Sequence, residues 1–130
     1  MRIPPELVTE YQEVDFAHAN LLAELKRMRS IGPEEIRSSI DFLRQHTAQH
    51  FACEERHMKE MAYPGREAHR EEHLVFFDQF VLLKARIEQD GATPENVGAL
   101  VSAVERWVAK HVLRQDRRFA QFVRATRSPR

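Results

Sequence analysis

The sequence predicts an all-α fold, an antiparallel up-down-up-down four-helix bundle with a short N-terminal arm. Three Gly/Pro breaks cut the 130 residues into four long segments, each segment carries apolar residues at alternating steps of three and four, and no run alternates with period two. The whole chain, 1–130, reads as one domain, with an arm over about 1–10 and helices over about 11–30, 33–62, 66–89 and 94–125.

Taken in order, Pro4-Pro5 suits an extended arm, after which Leu7, Tyr11, Val14, His18, Leu21, Leu25 and Met28 share one helix face. Gly32-Pro33 closes that helix and opens the next, whose stripe runs Ile36, Ile40, Leu43, Thr47, His50, Glu54, His57 and Met61. Tyr63-Pro64-Gly65 is the second break, and His69 and His73 begin the stripe that Phe76, Phe80, Leu83 and Ile87 continue. In the third break, Asp90 to Pro94, Thr93 is the expected N-cap and Pro94 the first helical residue. The fourth stripe offers Val97, Val101, Val104, Val108, His111 and Phe122, with Trp107 alongside.

Composition removes some classes of function. Twenty basic residues balance twenty acidic ones, with no basic stripe, so neither nucleic acid nor an anionic membrane is an expected partner. The longest apolar run, Phe80 to Leu83, is far too short to span a bilayer. A lone cysteine, Cys53, and a charged N-terminal stretch without an apolar signal core suggest a cytoplasmic protein. The apolar stripes are used inside the bundle, which suggests a monomer.

Polar residues interrupt those stripes at matching heights. Short loops make neighbouring helices antiparallel, so His50 and Glu54, late in the second helix, stand level with His69 and His73, early in the third. His18, His111 and Asp116 complete the layer from across the core. A single histidine on an apolar face is usually an ordinary hydrogen-bonded core residue. Five imidazoles and two carboxylates in one layer would cost several kcal/mol for each group left unsatisfied, and metal coordination satisfies them together.

The spacing gives that coordination its form. Residues four apart stand one turn above each other, so His69 with His73, and His50 with Glu54, are chelating pairs. His111 and Asp116 are five apart, roughly 140° around an ideal helix, so an aspartate reaching in from the stripe's edge or a locally loosened turn is required. Imidazoles with bridging carboxylates in a bundle point to a di-iron centre. A zinc site is the alternative, although seven ligands are too many for one such ion.

The stretches Val14-Asp15-Phe16-Ala17-His18, His50-Phe51-Ala52-Cys53-Glu54-Glu55 through Met58, His69-Arg70-Glu71-Glu72-His73 and Trp107-Val108-Ala109-Lys110-His111-Val112 through Asp116 resemble the motifs of the hemerythrin family, and of its single-domain bacterial members. The resemblance runs from about Glu6 to Phe122. It implies two iron ions with an oxo or hydroxo bridge. His69, His73 and His111 would be terminal ligands of one ion and His18 and His50 of the other, with Glu54 and Asp116 bridging. It further implies dioxygen as the ligand at the two-histidine ion, with Trp107, Val108 and Val112 lining the pocket, and an electron-donor protein or small reductant to restore the ferrous state.

The expected function is reversible dioxygen binding for storage, delivery or sensing. The alternative is a di-iron redox enzyme acting on oxygen, peroxide or nitric oxide at the same site, and a third class is a zinc-bearing or metal-free bundle. Five histidines favour the first, because bundle oxidases rely more on carboxylates. His46 and His57 stand outside the family ligands and are expected to support ligand histidines or lie at the boundary, and Cys53 is expected to be a small buried filler. Valine at 108 and 112 predicts a roomy pocket.

Overall fold

A computed structural model describes residues 12–127, with side chains described over 18–126. The expected arm, 1–10, together with Leu7, Tyr11 and the side chain of Val14, lies outside the described residues. Helices α1 (Gln12–Met28), α2 (Pro33–Glu60) and α3 (Arg66–Asp90) are followed by a fourth rod made of α4 (Pro94–His111), a π turn (Val112–Asp116) and α5 (Arg117–Arg127). Among the described residues there is no strand. Helix α1 packs on α2, α2 on α3, α3 on α4, and α4 back on α1, which closes a four-helix bundle.

Local chemistry sets the ends of the rods. Pro33 occupies the first turn of α2, where a missing N–H costs nothing, and Glu34 and Glu35 suit the positive end of the helix dipole. The Thr93 hydroxyl accepts the Asn96 N–H at 3.1 Å, capping α4 as its sequence predicted. Gly91, at φ 98°, ends α3 in a conformation that side chains avoid. At the end of α2 the same task falls to Ala62, whose φ is 53°, while the Tyr63 N–H donates back to the Met58 carbonyl at 2.9 Å.

Two apolar clusters flank a polar layer. The larger joins Leu21, Leu25, Ile40, Leu43, Phe76, Phe80, Leu100, Val104, Val108 and their neighbours across the four rods. The smaller, around Met58, Phe119, Ala120 and Val123, closes the other end. Buried His18, Glu54, His69, His73, His111 and Asp116 lie between the two.

The structure departs from the sequence expectation in three places. The fourth rod is not one α-helix over 94–125, since the π turn inserts a residue and shifts the inward register by one. Phe119 and Val123 therefore fill the core, and Phe122 is only half-buried. Cys53 is exposed rather than a buried filler, because it precedes the inward Glu54 by one residue and so points about 100° away. Leu74, Val75, Val81 and Leu82 form an exposed apolar strip on α3, so the stripes are not all used inside. No described helix is long and apolar enough to cross a membrane.

Candidate metal centre

Each rod contributes to the polar layer: α1 His18, α2 His50 and Glu54, α3 His69 and His73, and the fourth rod His111 and Asp116. Possible ligand atoms of Glu54, His69, His73 and His111 all lie within 4.8 Å of one another, and so do those of His18, His50 and Asp116. The five-residue step from His111 to Asp116 is taken by the π turn, in which the Arg117 N–H reaches the Val112 carbonyl. The wider turn lets the residue at i+5 face the same way as the residue at i. The loosened turn is thus the one of the two sequence alternatives that the chain adopts.

The two carboxylates span the two nitrogen sets. Glu54 Oε1 lies 2.5 Å from His69 Nε2 and 3.3 Å from His73 Nε2, while its Oε2 faces His50 Nε2 at 3.9 Å. Asp116 Oδ1 lies 3.0 Å from both His69 Nε2 and His111 Nε2, while its Oδ2 is 2.8 Å from His18 Nε2. Each carboxylate thus puts one oxygen on the group of three histidines and the other on the pair.

Most of these close approaches lack hydrogen-bond geometry. Both oxygens of Glu54, both oxygens of Asp116 and both ring nitrogens of His69 are buried without a hydrogen-bond partner, and His73 Nε2 and His111 Nε2 face each other at 3.2 Å. Buried polar groups are rarely left so. Lone pairs aimed at common points are what cations between them would satisfy, so the residues fit metal ions.

Without metal the layer holds itself by charge. Burial works against a protonated His69, but the carboxylates of Asp116 and Glu54 push its pKa up to about 10. Burial also opposes the charge on Asp116, and the imidazoles of His111, His18 and His69 nevertheless hold it well below the usual carboxylate range. Burial pushes His50 down.

Outside the layer, carboxylates and aromatic rings fix the histidines. His73 Nδ1 meets Glu55 Oε2 at 2.9 Å, and His111 Nδ1 meets Glu72 Oε1 at 3.1 Å. With Nδ1–H donating outward, Nε2 offers its lone pair inward. Gln115 Nε2 donates to the other oxygen of Glu72 at 2.5 Å. Phe51 stacks on His73 with centroids 3.7 Å apart, and Trp107 on His111 at 4.3 Å.

Sequence reasoning expected His46 and His57 either to support ligand histidines or to lie at the boundary, and both are half-buried at the boundary. His46 stacks on Phe42 and His57 sets its edge toward Phe119, while Glu55 and Glu72 hold the ligand-set histidines. The acidic residues beside Glu54 and His73 were the available signal for that pair. Gln115 had none, because its inward direction depends on the π turn. Val108 and Val112 are buried in the larger cluster, and Trp107 packs against it.

Comparison with known proteins agrees with this geometry. A family model described as the hemerythrin HHE cation binding domain matches residues 9–123. A protein named bacteriohemerythrin, from Stenotrophomonas maltophilia (strain R551-3), is 26% identical over 116 residues, which cover 86% of this chain and 74% of that protein.

Proposed function

The chain belongs to the hemerythrin family, and on that premise we propose that it holds two iron ions in its polar layer and binds dioxygen there reversibly. Membership of the family implies a non-haem iron site, and the carboxylates that span both nitrogen sets carry the reading of two ions. His69, His73 and His111 would hold one ion and His18 and His50 the other, with Glu54 and Asp116 offering an oxygen to each set. Bound there, iron would supply the redox chemistry that reversible dioxygen binding needs.

The protein's part is to bind, orient and exclude water. Five imidazoles set a nitrogen-rich field, with the Nε2 lone pairs of His73 and His111 kept inward by Glu55 and Glu72. The Phe51 and Trp107 rings cover two of those histidines, and buried Val108 and Val112 add apolar wall, which keeps out the water and protons that speed oxidation of the irons. An electron-donor protein or small reductant would keep such irons in the ferrous state.

Metal analysis tests the site. Anaerobic loading with ferrous iron followed by desalting is expected to leave two irons per chain, and His73→Ala or Glu54→Ala to leave fewer. One iron in the unaltered chain, or undiminished uptake by both variants, would remove the proposal.

A further inference from the structure

We propose that Gln115 is a positioning residue for the metal centre, acting through Glu72 to hold His111. The proposal rests on the two-iron reading for its consequence but not for its geometry. Glu72 lies on α3 and is the acceptor for His111 Nδ1 at 3.1 Å. Its side chain is 28% exposed, in contrast to His111 at 2%. A single hydrogen bond to a half-exposed glutamate barely offsets the rotamer freedom that it freezes. The second bond decides the outcome, because Gln115 is buried and its amide holds Glu72 Oε2 at 2.5 Å.

Both contacts come from one backbone device. Gln115 and Asp116 are the last two residues of the π turn, and both are buried. Asp116 faces the polar layer with its carboxylate, while Gln115 reaches across to α3 and fixes the glutamate behind His111. The turn therefore orients His111 twice, from inside through Asp116 at 3.0 Å and from outside through Glu72. On the other ligand-set residue of this kind, His73, Glu55 acts with Arg70 Nε only at 3.7 Å, an exposed pair in place of a buried amide. The two histidines are thus held with different firmness.

Loss of the amide frees Glu72 to turn to solvent and lengthens the His111 bond. Gln115→Met keeps the volume and removes the donor, so it separates the hydrogen bond from packing. In zinc-loaded, diamagnetic protein the His111 Nδ1–H resonance is expected to move upfield and exchange faster with water, while that of His73 stays in place. In iron-loaded protein the midpoint potential is expected to rise, because a less tightly held N–H makes His111 a weaker donor. In a Glu72→Met background, where residue 72 has no oxygen for Gln115 to hold, Gln115→Met is expected to add nothing further to either readout.

A His111 resonance that Gln115→Met leaves unmoved overturns the proposal. So does an equal effect of that substitution whether residue 72 is Glu or Met, which would show that Gln115 does not act through Glu72. The Gln115 side-chain amide resonance in metal-free protein reports the contact without any metal, and Glu72→Ala is expected to shift it. Failure of the unaltered chain to take up iron would sink the two-iron reading, while that amide signal would still decide the contact.

Discussion

At the scale of single residues, the layer is a set of charges whose balance changes when metal arrives. In metal-free protein His69 has a pKa raised from 6.5 to about 10, so its contribution to stability is complete below 6.5 and lost as pH rises toward 10. Asp116 and Glu54 are shifted down, so their contributions are present above the ordinary carboxylate range and lost as pH falls through it. Metal-free protein is therefore expected to melt highest on the mildly acidic side and progressively lower from pH 6.5 to 10, and a flat Tm over that range would contradict the charge pairing. Ferrous iron must displace the His69 proton, so loading unbuffered protein near neutral pH is expected to acidify the solution.

Two further residues give independent checks. Ala62 adopts φ 53°, a left-handed conformation that costs a non-glycine residue on the order of 1 kcal/mol. Ala62→Gly is expected to raise Tm by a few degrees without changing iron uptake, and a lower Tm would show that no strain is relieved. Val108 is buried beside the layer, and Val108→Leu is expected to reduce the space proposed for dioxygen and slow autoxidation of the loaded protein. An unchanged oxidation rate would remove the pocket-size argument.

At the scale of elements, the π turn is the feature on which the fourth rod depends. Its extra residue brings Asp116 into the layer and, by the same shift, puts Phe119 and Val123 into the smaller core cluster. Deleting the exposed Leu113 would remove the extra residue and leave an uninterrupted α-helix in which Asp116 follows His111 by four places, so Asp116 and Phe119 would keep facing inward. The deletion is expected to keep the inward register and most iron uptake, whereas loss of both Tm and iron uptake would mean that the turn does more than absorb one extra residue.

The same element marks where the sequence stops being readable. Stripes at three and four spacing disclosed the four rods and the height of the polar layer, because His50, Glu54, His69 and His73 obey ordinary helix geometry. His111 and Asp116 disclosed a step of five with two ways to take it, and only the backbone decides for the loosened turn. Phe122 then read as core because the stripe was continued in α register beyond the insertion. The exposed strip on α3 was missed for a different reason. That helix is apolar on more than one side, and the inward run of Phe76, Phe80 and Ile87 hid Leu74, Val75, Val81 and Leu82. Gln115 could not be found at all until the backbone placed it.

At the scale of the whole molecule, one layer of buried charge divides the hydrophobic core into two clusters. Such a layer weakens the bundle when its groups lack partners and ties all four rods together when ions satisfy them. Metal present at a hundred times its dissociation constant adds about 2.7 kcal/mol, which corresponds to a Tm increase on the order of 10 °C for a chain of this size. Iron-loaded protein is expected to melt that much above metal-free protein, and coincident melting curves would mean that the ions do not bind in the layer.

The central claim, reversible binding of dioxygen at two irons held by these histidines and carboxylates, is tested most directly by visible absorption of the ferrous-loaded protein through cycles of air and argon. The account predicts a charge-transfer band that rises with oxygen and falls on its removal over repeated cycles, with two irons per chain retained. A band that bleaches irreversibly while hydrogen peroxide accumulates, or no band in protein that holds both irons, would contradict it.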